Sequence, residues 1–161
     1  VEIREANDDD WPQIYSIFRE TVEEGRTFAL PENLSLEEAR PLWMETPPAV
    51  TIVAVEGDVF LGSAKMGPNR PGRGSHIATA SFMVDPAKQG QGIGRALGNF
   101  AIEWARFHGY RGMQFNAVVE TNGPAVHLWE ELGFKVLTTV PGAFDHSQHG
   151  YVGLHVMYKS L

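Results

Sequence analysis

Residues 84–97 read "VDPAKQGQGIGRAL", and the fold turns on them. Behind them residues 77–86, "IATASFMVDP", form an apolar, strand-like run; ahead, residues 95–107, "RALGNFAIEWARF", carry a helical pattern. Between lie three glycines in five positions, Gly90, Gly92 and Gly94. A strand, a tight glycine turn and a helix start make an anion site, because unpaired backbone N–H groups converge there and no side chain blocks a phosphate. Two common phosphate loops do not fit. A Walker A loop needs Lys-Ser/Thr after its glycines, and Arg95-Ala96 follow here; a dinucleotide fingerprint needs GxGxxG, but the next glycine is Gly98. Glycines that merely allow a tight turn and close helix packing are the competing reading, and the stretch alone leaves both open.

Outward from this segment the elements follow in order. "VEIREA" alternates as a short strand, and "DDDWPQIYSIFRETVEEG" supplies an acidic N-cap, Pro12 in the first turn and a stop at Gly25. Ser35 and Glu38 have capping-box spacing before a helix that Pro41 shortens or kinks. "TIVAVEGDVFLGSAKMG" reads as a hairpin around Glu56-Gly57-Asp58. Ile93, Leu97, Phe100, Trp104 and Phe107 predict one buried stripe on the central helix. "GMQFNAVVE" is a fifth strand, "AVHLWEEL" a short helix ended by Gly133, and "FKVLTTV" and "YVGLHVMY" the last two strands. The order β-α-α-β-β-β-α-β-α-β-β predicts a mixed α/β single domain over residues 1–161.

Composition narrows the partners. Thirteen Lys+Arg against 20 Asp+Glu give a net charge of −7, which argues against a nucleic-acid or anionic-membrane binder. The absence of cysteine excludes disulfides, thiolate metal sites and a cysteine nucleophile, and fits a cytoplasmic location. No segment approaches the roughly 20 apolar residues of a membrane span. The opening on Val1 leaves room for a removed initiator methionine or short leader. The apolar C-terminal strand "YVGLHVMYKSL" offers an edge for a homodimer unless it is paired within the chain.

The stretch "VDPAKQGQGIGRAL" resembles the signature of the GCN5-related N-acetyltransferase (GNAT) superfamily, Q/R-x-x-G-x-G/A, through Gln89, Gly92 and Gly94. "NGPAVHLWEELGFKV" resembles the family's second segment, N-x-x-A-x-x-L-Y-x-x-x-G-F, through Asn122, Ala125, Leu128, Gly133 and Phe134. The resemblance covers essentially the whole chain. It implies a GNAT fold: a mixed, mostly antiparallel seven-stranded sheet with helices on both faces and a splayed fourth and fifth strand. It implies acetyl-CoA as cosubstrate, no metal, and a cofactor cradle of Gln89, Gly90, Gln91, Gly92, Ile93, Gly94 and Arg95. Met83 and Val84 are implied to pair with the pantetheine arm, with Asn122, Ala125 and Trp129 completing the cofactor side. "FNAVVETNGPAVHLW" is similar to a branch related to fungal enzymes that acetylate azetidine-2-carboxylate and proline-like amines, in which the residue matching Asn116 helps to bind substrate.

The implied reaction is direct attack of an amine on a thioester, which needs two positioned reactants, a proton acceptor and an outlet for the thiolate. The family's usual tyrosine is replaced by Trp129, whose indole N–H is no acid near neutral pH. Either the thiolate departs unassisted or Tyr15, Tyr151 or Tyr158 reaches in. Strand alternation places Gln114, Asn116, Val118 and Glu120 on one face, so Asn116 is expected to hold substrate and Glu120 to accept the amine proton through water. Thr79 and Ser81 share a face that can position water. His146 and His149 are rival bases in a loop without fixed geometry. Arg26, Thr27 and Phe28 are expected to border the acceptor, a small-molecule amine such as an amino acid or an amine-bearing toxin. A protein or peptide N-acetyltransferase and a non-catalytic CoA-binding sensor are the alternatives.

Overall fold

A computed structural model describes residues 1–161. Its elements are β1 (Glu2–Glu5), α1 (Trp11–Glu24), α2 (Leu36–Trp43), β2 (Val50–Glu56), β3 (Val59–Pro68), β4 (Ile77–Val84), α3 (Ile93–Phe107), β5 (Gly112–Val119), α4 (Gly123–Glu131), β6 (Lys135–His146) and β7 (Gly150–Ser160). This is the order that periodicity and turn chemistry predict. The strands form one sheet, β1-β2-β3-β4-β5-β7-β6, antiparallel except for β4 beside β5.

Alternation along β2 shows how the layers form. Ile52 and Ala54 pack with α3 and α4, whereas Val53 and Val55 pack with α1 and α2 on the opposite face. A strand buried on both faces reads as the continuous apolar run "TIVAV". The parallel pair is joined only at Ile77–Gly112 and Ala78–Met113, so from Thr79 onward the β5-facing edge of β4 has no strand partner. The two strands part there, and the gap holds the cavity described below.

Several elements depart from expectation. Trp11 starts α1, but Asp10 makes no cap bond to it; its carboxylate is committed to Arg4, at 2.8 and 2.9 Å, and to the Asn7 N–H. The buried stripe of α3 is Ile93, Leu97, Gly98, Ala101, Ile102 and Ala105, and Phe107 is 86 % exposed. Small residues bring the helix axis close to the sheet, so the large aromatics are displaced to its flank. Strand β6 runs on to His146 through Pro141 and Gly142, because an irregularity between Val140 and Phe144 absorbs them. His146 therefore lies on a strand. Finally, β7 is paired on both sides, with β5 and with β6, so the edge proposed for a partner is used within the chain. No helix is long and apolar enough to cross a membrane.

Candidate active site

A cavity of about 830 Å³ occupies the gap between β4 and β5 and runs from the glycine turn to the loop between α1 and α2. Its size suits a small-molecule or cofactor site.

At one end lies the turn. Gly90 and Gly92 have φ of +80° and +79°, a conformation L side chains rarely adopt, and a β-carbon at either would meet no atom within 4 Å. Gly92 occupies the N-cap of α3 without a side-chain cap, leaving the first-turn N–H groups of Ile93, Gly94 and Arg95 free of helical acceptors. A β-carbon at Gly94 would lie 3.4 Å from Leu128, an ordinary contact, whereas one at Gly98, just past the turn, would lie 2.9 Å from both Leu132 and Trp129, so Gly98 lets α4 close on α3.

Gln89, Gly90, Gly92, Ile93, Gly94 and Arg95 line the cavity, as do Met83, Val84, Asn122, Ala125 and Trp129; Gln91 does not. Arg95 is bound to Glu131 at 2.9 Å, and His127 approaches the same carboxylate at 3.2 Å. Asn122 caps α4, its side-chain oxygen accepting from the Ala125 N–H at 3.4 Å. Trp129 is buried against Phe82, Phe115 and Phe134, with ring centroids 4.7, 4.9 and 6.3 Å away. No tyrosine lines the cavity. Tyr15 donates to the Leu34 carbonyl at 2.7 Å, Tyr158 sits against Gly112, and Tyr151 is largely exposed.

The floor of the other end comprises Lys65 on β3, Thr79 and Ser81 on β4 and Asn116 on β5. Lys65 and Ser81 stand directly opposite across the strand pair. Asn116 donates to the Asn69 side chain at 2.7 Å and accepts from Gln114 at 3.0 Å. Phe28 and Trp43 form an aromatic wall, their rings edge-on at 6.0 Å, and Thr21, Glu24 and Thr27 line the same end. The tip of the β6–β7 hairpin clasps the end of α1, just before this wall: Ser147 donates through its N–H to the Gly25 carbonyl and through its hydroxyl to the Glu24 carbonyl.

Three expected residues fall elsewhere. Strand β5 carries an extra residue between Phe115 and Val118, so Val118 packs with the core beside Phe115 and no longer shares a face with Asn116. Glu120, on Val118's side of the bulge, lies over Gly153 of β7, where a β-carbon would collide with its carboxylate. It does not line the cavity. Arg26 also lies outside. His146 is buried under the hairpin, its Nδ1 accepting the N–H groups of Gln148 and His149 at 3.0 and 3.2 Å. Burial pushes its pKa down, helped by His149 and Arg26. It faces no part of the cavity. No group of three or more His, Asp or Glu side chains is placed to hold a metal.

Against this geometry, a model of the acetyltransferase (GNAT) family matches residues 11–134. The chain belongs to that family. It is 31 % identical over 151 residues to the N-acetyltransferase aca1 of Schizosaccharomyces pombe, covering 84 % of this chain and 72 % of that one. A GCN5-related N-acetyltransferase from Kribbella flavida is 55 % identical, with a TM-score of 0.96 and 99 % and 97 % of the two chains covered. The yncA protein of Salmonella typhimurium, solved with its cofactor acetyl-CoA, is 27 % identical, with a TM-score of 0.84 and coverage of 99 % and 93 %. This GNAT chain is an acetyl-CoA-dependent acyltransferase. The open amides at Gly92–Arg95 and the unpaired edge of β4 fit a diphosphate and an extended amide-bearing arm, the two parts of CoA that a backbone can hold.

Lys65, Lys88, Glu24 and His127 line the cavity but escape a motif-based reading. Only Lys65 left a signal: a lysine amid the otherwise apolar and small run "FLGSAKMG".

Proposed function

We propose that residues 1–161 act as one N-acetyltransferase domain that acetylates the amine of a small molecule, a free amino acid or an amine-bearing toxin, by direct attack in a ternary complex. The observation carrying this reading is the acceptor end of the 830 Å³ cavity, where Phe28 and Trp43 stand beside the polar groups of Lys65, Thr79, Ser81 and Asn116. A pocket of that size, apolar with a few convergent polar groups, suits a small acceptor.

In this reading the amides of Gly92–Arg95, with Gln89, Gly90 and Gln91 shaping the turn, hold the diphosphate. Met83 and Val84 pair with the pantetheine arm, and Asn122, Ala125 and Trp129 bound it on the α4 side. Acetyl-CoA supplies an activated acyl thioester. Asn116 and Thr79 orient the acceptor, and Phe28 covers it. The acceptor's ammonium gives one proton to water at the polar floor. The neutral nitrogen then bonds to the carbonyl carbon as the C–S bond breaks, the electron pair leaves with sulfur, and the nitrogen, now cationic, loses a second proton to water to give the amide. No cavity tyrosine protonates that sulfur, so the thiolate departs unassisted, as a good leaving group can.

The test measures thiol release from acetyl-CoA across amino acids, amine toxins, polyamines and peptides with free N-termini. Release with small amines, giving intersecting double-reciprocal lines, is the expected result. Preference for the peptides would overturn the small-molecule assignment, and parallel lines would overturn direct attack.

A further inference from the structure

The charged residues lining the cavity fall into two sets. Lys88, Arg95, His127 and Glu131 stand at the glycine turn and α4; Glu24 and Lys65 alone stand at the acceptor end, one of each sign. Resting on the small-molecule reading above, we propose that Lys65 and Thr27 form a carboxylate subsite and that Glu24 faces the acceptor's ammonium, so that the acceptor is a zwitterionic amino acid.

Lys65 is fixed but not exhausted. Its ammonium donates to the Leu42 carbonyl at 2.8 Å and approaches Glu45 at 3.3 Å, leaving one of three N–H donors unused, and it lies 5.8 Å above the Trp43 ring. Thr27 supplies an independent observation. Its hydroxyl oxygen is the only buried side-chain polar atom in the chain without a hydrogen-bond partner, and the residue lines the same cavity. Such an atom calls for a missing partner. Phe28, the residue after Thr27, packs edge-on against the Trp43 ring over which the Lys65 ammonium lies, and Thr27 and Lys65 line the same end of the cavity. A carboxylate between them would take the spare N–H and the hydroxyl together, and Ser81, opposite Lys65, adds a third donor. A neutral acceptor would offer the spare lysine N–H and the Thr27 hydroxyl no charged partner. Glu24 ends α1, with its carbonyl held by Ser147, and is the only carboxylate lining this end.

The experiment compares amino acids, azetidine-2-carboxylate among them, with their α-carboxamides at saturating acetyl-CoA, using wild-type protein and Lys65→Met, Lys65→Arg and Thr27→Val. Wild-type kcat/KM is expected to favour the acids by about 10-fold or more. Lys65→Met should lower it for the acids about 10- to 100-fold, the loss of a charge-assisted hydrogen bond. It should leave the amides within about 3-fold and CoA affinity unchanged. Lys65→Arg should restore part of the preference, and Thr27→Val should remove about 3- to 10-fold of it. Equal wild-type rates for acids and amides overturn the carboxylate subsite while leaving the small-molecule reading intact. So does a Lys65→Met loss that falls equally on both, since that marks a strut for Leu42. Release with no small amine overturns both.

Discussion

Asn116 is tied at both ends of its amide, to Gln114 two residues back and to Asn69 across the gap between the parting strands. Each amide still has one N–H and one lone pair to offer. Asn116→Ala is therefore expected to lower kcat/KM for the amine about 10-fold, the worth of an oriented hydrogen bond, while CoA affinity by titration stays within about 2-fold. An equal fall in CoA affinity would mark Asn116 as scaffold. The sequence raised the question of this asparagine because a polar residue among apolar strand neighbours needs a partner. It could not supply Asn69, which lies 47 positions earlier. Lys65 stayed unread for a related reason: nothing local distinguishes a strand lysine that snorkels to water from one that turns into a cavity.

At the scale of elements, existence and order were legible and register was not. Capping residues, Gly25 and the Gly57 turn mark their own boundaries, since each meets a local backbone need. A bulge has no such mark. The extra residue in β5 leaves the run "FNAVV" looking regular, yet it breaks the alternation after Phe115 and sets Glu120 over Gly153 of β7. Strand β6 runs beyond the expected "FKVLTTV" to His146, because Gly142, at φ +62°, lets the strand kink and continue. Helix packing has its own local signature in Gly98. Replacing it by Val should push Leu132 and Trp129 aside and separate α4 from α3. A loss of about 1–3 kcal/mol in urea denaturation is expected, the usual cost of overpacking, together with weaker CoA binding because Trp129 lines the cavity. Unchanged stability would show that α4 moves freely.

The whole molecule responds to pH through two buried groups of opposite kind. The Arg4 guanidinium, with help from the Asn7 N–H, holds the Asp10 carboxyl below its usual range despite burial. Its contribution is complete above the unfolded value of about 3.9 and is lost as pH falls through the lower native value. His146 is pushed down by burial, so the folded chain prefers it neutral; its contribution is complete above about 6.5 and erodes as pH falls below that. Urea midpoints are expected to decline in two stages, first below about pH 6.5 and again below about pH 4. His146→Asn, which keeps an acceptor for the turn amides but does not titrate, should abolish the first stage alone. Persistence of that stage would assign it elsewhere.

The Ser147 clasp also sets an order in time. It joins residues 123 positions apart, from the first helix to the last hairpin. On a ribosome, α1 and the loop after it emerge long before the strand pair that fastens them. The glycine turn and α3 also emerge early, but β5 pairs with β4 at two positions only and otherwise relies on β7, so the sheet behind the cavity is finished last. The hairpin that completes it is the one that carries Ser147 to α1.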